Sequence, residues 1–157
     1  MRAALLCVGK LKEKYWRDAC AEYLKRLTRY GQVDLIEVPD APEPAHASPG
    51  ADAQVLRIEG ERLLAKIRPD DYVIALAIDG KSYTSVGFAE HVEKVMLKGR
   101  MVFVIGGSLG LSPEVYARAN ERISFSALTF PHQMMRVIFL EQLYRACRIQ
   151  AKEPYHK

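Results

Sequence analysis

The sequence predicts an α/β fold, a parallel sheet with helices on both of its faces. Three observations carry that expectation. Met101–Ile105 is apolar without alternation and rich in β-branched and aromatic residues, the pattern of a strand buried on both faces. Residues 72–78 repeat the pattern. Gly106, Gly107 and Gly110 follow the first of these strands, and Ser112-Pro113-Glu114 then reads as an N-cap, a proline in the first turn and an acidic helix start. Open α/β sheets bind ligands at such strand-to-helix turns, where glycine lets a bound group touch the backbone. A tight turn without a ligand fits the same residues.

The glycine spacing is not that of a dinucleotide fingerprint, and no Gly-Lys-Ser/Thr follows, which excludes a P-loop. The turn is therefore expected to cradle a neutral or cationic group.

At 157 residues the chain is read as a single domain, 1–157, with a core of its own. Apolar residues at 49% exclude a disordered chain. No apolar run reaches membrane-span length and no leader is read, so no membrane partner is expected. Cys7, Cys20 and Cys147 are odd in number and far apart, which fits neither a disulfide framework nor a metal site. They are expected to be small core residues of a cytoplasmic protein, with no metal bound. Residues 1–30 carry a net charge of +5 and residues 136–157 carry +3, against −4 between them. Two basic ends around an acidic middle suggest a polyanionic partner.

In chain order, a first strand is expected at 2–9, followed by Lys10, Lys12 and Lys14 in a loop. Tyr15, Trp16, Ala19, Cys20, Tyr23, Leu24 and Leu27 recur at helical spacing and predict an amphipathic helix over 14–29. Trp16 reads as core. Residues 33–38 make a second strand. Pro39, Pro42, Pro44 and Pro49 predict a mobile loop over 39–52, with His46 solvated. Ala53, Leu56, Gly60, Leu63, Leu64 and Ile67 form the next helix, ended at Pro69-Asp70-Asp71. The strand 72–78 is read as turning at Asp79-Gly80-Lys81 and forming the opposite wall of the cleft. Lys81 either reaches a phosphate or is simply solvated. A helix from Ser85 to about Leu97 is closed by Lys98-Gly99. Beyond the glycine turn come a short helix near 113–121 and a last strand at 123–125.

A loop of small and hydroxyl residues, 126–132, then leads into a helix over 132–150. That helix is apolar on most of its circumference: Met134, Met135, Val137, Ile138, Phe139, Leu140, Leu143, Tyr144, Cys147 and Ile149. A surface helix shows one stripe. This one is expected to lay one face on the sheet and another on a second subunit, with Glu141 and Arg145 paired at i,i+4. The chain ends in a polar aromatic tail, Glu153-Pro154-Tyr155-His156-Lys157.

Several stretches together resemble the RlmH family of small SPOUT methyltransferases. They are Val-Gly-Lys-Leu-Lys-Glu-Lys-Tyr-Trp at 8–16, Ile-Gly-Gly-Ser-Leu-Gly-Leu at 105–111 and Phe-Pro-His-Gln-Met-Met-Arg-Val at 130–137. Glu-Gln-Leu-Tyr-Arg-Ala at 141–146 and Pro-Tyr-His-Lys at 154–157 complete the set, so the likeness runs the full length. It implies a C-terminal trefoil knot, against the general absence of knots. It also implies S-adenosyl-L-methionine as methyl donor, a homodimer, and methylation of a pseudouridine at N3 in the 23S ribosomal RNA of the ribosome. Carried over by position, Leu76, Gly106, Phe125, Ser126, Ala127, Leu128, Thr129 and Phe130 are the cofactor residues, and 125–130 threads the knot.

The chemistry agrees with a turn built for a cationic ligand, since a sulfonium with an adenine wants apolar walls and backbone hydrogen bonds. In-line transfer relies on positioning, and the weakly acidic N3–H must lose its proton. His132, His156 and Tyr155 are the candidate bases, and Arg136 or Arg145 the candidate for the anion or the phosphates. Lys10, Lys12, Arg145 and Lys157 are the candidate RNA contacts. The tail is expected to order when RNA binds and to complete the cofactor loop of the other subunit. The competing reading is a non-catalytic ribosome-binding module on a degenerate α/β fold.

Overall fold

The computed structural model of the chain describes residues 1–43, 45–46 and 48–157. Its strands are β1 (Arg2–Val8), β2 (Gln32–Val38), β3 (Tyr72–Ser82), β4 (Met101–Ile105) and β5 (Glu121–Ser124). They form one parallel sheet in the order β2-β1-β4-β3-β5. The helices are α1 (Lys14–Leu27), α2 (Pro49–Leu64), α3 (Ser85–Val95), α4 (Pro113–Arg118) and α5 (His132–Gln150).

Strand alternation sorts the core into two layers. Ala3, Leu5 and Cys7 of β1, with Met101, Phe103 and Ile105 of β4, face the layer of α1, α3 and α5. Ala4, Leu6 and Val8, with Val102 and Val104, face α2 and α4. β1 and β4 are buried on both sides along almost their whole length, which is why neither shows polar alternation. The three cysteines are free and buried. Burial pushes their thiols up, to about 12 for Cys7 and about 11 for Cys20 and Cys147, so all three are neutral packing groups.

The structure corrects several boundaries. α2 begins at Pro49, inside the stretch read as a loop, because Ser48 caps it: its Oγ accepts the Ala51 N–H at 3.2 Å. A proline at the first helical position loses nothing, since that N–H has no partner within the helix. Pro44 and Ala47, in the same predicted loop, lie outside the described residues. Asp79-Gly80-Lys81 is not a turn but part of β3. The pairing with β5 shifts register between Leu76 and Lys81, and both residues face Ile123. Glycine is needed at 80 because a Cβ there would lie 2.5 Å from the Ile123 backbone. α4 stops at Arg118, and β5 starts at Glu121 rather than 123. Between them Asn120 binds Val73 twice at 2.8 Å, its N–H to the carbonyl and its Oδ1 to the N–H, which pulls the chain onto the sheet.

α5 has the predicted length and packs against α1 and α3. Its buried side is Arg136, Phe139, Leu140, Leu143, Tyr144, Ala146 and Cys147. Met134, Val137, Ile138 and Glu141, at i, i+3, i+4 and i+7, make a second stripe that is only half-buried.

Candidate functional site

The C-terminal ends of β3, β4 and β5 open onto a cleft of about 510 Å3. One wall is Leu76, Ala77, Ile78 and Asp79 of β3. The floor is Ile105 and the turn from Gly106 to Leu111. Ile123 to Ser126 and Leu128 to Phe130 close the other side, with His132 and Met135 at the start of α5.

The turn is held by its own backbone. Gly107 and Gly110 form an antiparallel bridge, with the Gly110 N–H on the Gly107 carbonyl at 3.1 Å. Gly110 sits at φ +83°, in the left-handed region. A Cβ on Gly106 would collide with the Gly110 backbone, so glycine is required there to close the turn. The second loop braces itself in the same way. Ser124 Oγ donates to the Ser126 carbonyl (3.0 Å), and Ser126 Oγ accepts the Leu128 N–H (2.9 Å). Phe125 stands edge-on to Phe88 and stacks over Phe139.

Of the eight cofactor candidates, Leu76, Gly106, Phe125, Ser126, Leu128, Thr129 and Phe130 line this cleft; Ala127 is exposed and does not. Among the described residues no lysine or arginine lines it. Its walls are largely apolar side chains and glycine backbone, with the hydroxyls of Ser108, Ser124, Ser126 and Thr129 and the Asp79 carboxylate among them, a lining that fits a heterocycle and a sulfonium better than a polyphosphate. His132 is on the rim. Burial, then the Arg136 guanidinium, hold its imidazole below the usual range, with Asp40 opposing. It is a neutral proton acceptor at neutral pH.

Arg136 is a correction. It is 1% exposed and turned away from the cleft. Its guanidinium donates to Glu37 Oε2 (2.7 Å) and to the carbonyls of Val8 (2.8 Å) and Gly9 (2.9 Å). Those bonds lock α5 to the end of β1, and leave the side chain no free terminal nitrogen for a substrate.

The tail is also held, not awaiting a partner to order it. Lys152, at φ +54°, turns the chain back after α5. Glu153 is fixed by Arg29 (2.7 Å), Arg148 (3.0 Å) and the Tyr30 hydroxyl. Tyr155 packs edge-on to Tyr144, donates to Glu141 Oε1 at 3.1 Å and lies under Arg145. Arg145 bonds Glu141 at 2.6 Å and His156 Nδ1 at 3.3 Å. Burial and Glu141 push the Tyr155 hydroxyl up to about 12, which makes it a hydrogen-bond donor and a poor base.

The structure thus gathers Arg145, Tyr155 and His156, with Lys157 exposed beside them, along the second half of α5. None of the four lines the cleft of its own chain. Lys10 and Lys12 are exposed elsewhere, in the loop before α1.

Three features of the cleft escaped the sequence. Asp79, taken for a turn residue, lines it and pairs with Arg122 at 3.0 Å. Arg122 lies 3.9 Å from the ring centre of Tyr116, which also lines the cleft. These residues come from three elements and share no spacing. Glu59, behind the glycine turn, did leave a signal: it interrupts the apolar series Val55, Glu59, Leu63 at i, i+4, i+8.

A family profile described as "Predicted SPOUT methyltransferase" matches residues 1–156. Proteins named Ribosomal RNA large subunit methyltransferase H align over the whole of both chains. Those of Bifidobacterium animalis subsp. lactis and Exiguobacterium sibiricum are 54% identical, and that of Streptococcus thermophilus is 52% identical, each covering 100% of both chains. Two solved structures share the fold. One is a probable methylase family protein from Haemophilus influenzae Rd KW20, with TM-score 0.56 and 17% identity over 99% of this chain and 70% of the other. The second, a probable methyltransferase from Bordetella pertussis Tohama I, has TM-score 0.58 and 16% identity over 93% and 94%. A profile match of nearly full length, and full-length relatives identical at more than half of their positions, mean that the chain belongs to the SPOUT methyltransferase family.

Proposed function

We propose that this methyltransferase carries a methyl group from S-adenosylmethionine to N3 of a pseudouridine in 23S ribosomal RNA, acting as a cytoplasmic homodimer on the assembled ribosome. The observation that carries the proposal is the cleft at the sheet's C-terminal edge, walled largely by glycine backbone and apolar groups and lined by no lysine or arginine among the described residues. The full-length relatives are named for ribosomal RNA of the large subunit, which supports the substrate class. The same reading includes the trefoil knot, with 125–130 passing through it.

Leu76, Gly106, Phe125, Ser126, Leu128, Thr129 and Phe130 hold the methyl donor. When bound, S-adenosylmethionine supplies an electrophilic methyl group on a sulfonium sulfur. His132, neutral on the rim, accepts the N3 proton directly or through one water. Arg145 and Lys157 neutralise phosphates, and His156 and Tyr155 of a second subunit meet the target base from outside the cleft. The half-buried Met134, Val137 and Ile138 support a subunit contact along α5, since a lone chain leaves those apolar groups partly wet. Light scattering should then give a dimer mass at micromolar concentration. Lys10 and Lys12 extend the RNA contact at the loop before α1.

The test is incubation with unmodified and pseudouridylated ribosomal RNA and ribosomes, followed by mass spectrometry for a methyl gain, beside calorimetry with S-adenosylmethionine. A non-catalytic ribosome-binding module is the other reading; it would show neither methyl gain nor binding heat.

A further inference from the structure

Directly behind the glycine turn lies a carboxyl group that the site has not used. Glu59 projects from α2 and is 5% exposed. Its Oε2 accepts the Ala41 N–H at 3.1 Å. Among the described residues the Ala41 N–H is the one hydrogen-bond donor to this carboxyl, and no cation forms an ion pair with it. Arg62, on the same helix, spends its guanidinium on the carbonyls of Pro39 (2.9 Å) and Asp40 (3.1 Å). The carboxyl packs under Gly107: a Cβ built there would lie 3.2 Å from Oε1 and 3.6 Å from Oε2. Gly107 is part of the cleft wall, so one layer of backbone separates Glu59 from the ligand space.

A buried carboxyl with no cation paired to it among the described residues is an expensive way to fill a helix stripe, and an apolar or amide side chain would fill it at less cost. Burial raises its pKa, with Asp40 and Glu43 adding to the effect and the Ala41 N–H and the Arg62 charge opposing it. What an acid offers here is the sign of its field. A charge inside a protein is weakly screened by salt. S-adenosylmethionine has a sulfonium and an ammonium against one carboxylate, and so a net positive charge. Once the methyl has left as part of the methylated base, the C–S electron pair stays on sulfur and the product is a neutral thioether. The other acids at the cleft are poorly placed for this work: Asp79 is 69% exposed at the side chain and already paired with Arg122, and Glu43, whose Oε1 accepts the Ser108 hydroxyl at 3.3 Å, is exposed to water.

We propose that Glu59 is a specificity-determining residue, its carboxylate favouring the cationic methyl donor over the neutral product through the Gly107 wall. Transfer of the methyl group then removes the attraction and helps the product to leave. The inference rests on the reading of the cleft as the S-adenosylmethionine site.

Calorimetry on the full-length protein tests it with two ligands, S-adenosylmethionine and S-adenosylhomocysteine. Glu59→Gln keeps the size of the side chain and an acceptor for Ala41. It should weaken S-adenosylmethionine about tenfold and change S-adenosylhomocysteine less than about twofold. Its melting temperature should equal or exceed that of the wild type. Glu59→Asp retains the charge and should keep most of the preference. Equal weakening of both ligands by Glu59→Gln, or of neither, overturns the proposal. A wild-type protein that binds neither ligand overturns the cofactor reading, and this inference with it.

Discussion

Arg136→Met removes a guanidinium that joins α5 to the end of β1. Methionine has nearly the same reach, so little cavity forms, and the loss is one of hydrogen bonds. Three acceptors are left: Glu37 Oε2, Val8 O and Gly9 O, now bonded at 2.7, 2.8 and 2.9 Å. The carbonyl of buried Val8 has no ready replacement. The Glu37 side chain is 29% exposed and can recover water, and its Oε2 keeps the Leu11 N–H. Removing one partner of a buried pair costs about 3–5 kcal/mol, and the rehydration of Glu37 argues for the lower end. At roughly 2–4 °C per kcal/mol for a domain of this size, the melting temperature should fall by about 6–12 °C. Arg136→Lys offers one ammonium in place of a planar fork and should recover only part of the loss. Differential scanning calorimetry reads both variants. At temperatures where Arg136→Met is folded, its affinity for S-adenosylmethionine should be close to that of the wild type. A variant that melts with the wild type yet transfers no methyl group would refute the reasoning and return Arg136 to the catalytic group.

His132 has its pKa held below 6.5, so the folded chain binds this proton less readily than the unfolded one. Stability from this group is complete above pH 6.5 and is lost as the pH falls from there through the lowered value. His132→Gln should flatten that part of the pH–stability curve; an NMR titration of His132 with its midpoint above 6.5 would contradict it. Gly106→Ala drives a Cβ into the Gly110 backbone and should cost about 1–3 kcal/mol along with cofactor binding. Gly110→Ala meets open space and carries only the strain of its positive φ, about 1–2 kcal/mol. Melting curves that rank these two variants the other way would mean the turn closes differently. Deleting 154–157 leaves Glu153 on Arg29 and Arg148. The truncated chain should keep its dimer mass and cofactor affinity while methyl transfer on ribosomes falls by orders of magnitude; full activity would rule the tail out of the chemistry.

The sequence by itself determined the elements whose signal is local. β1 and β4 are unbroken apolar runs because both faces are covered, and α5 is read to the residue because its apolar run is long and a proline precedes it. The glycine turn was legible as a candidate cradle because close approach to backbone demands glycine, whereas the 125–130 loop was marked only by the family resemblance. What depends on distant partners was not legible. Asn120 ends α4 by bonding Val73, 47 positions away in sequence, and Gly80 stays in β3 because Ile123 lies against it. Arg136 looks catalytic in the sequence, one helical turn from His132; only the fold shows three acceptors closing around it. Glu59 shows in the sequence only as a break in an apolar helix stripe; that it lies beneath Gly107 is decided by how α2 packs. Hydrophobic period and turn chemistry are written in neighbouring residues. Whether a polar side chain faces water, a ligand or a buried partner is decided by what the rest of the chain brings to it.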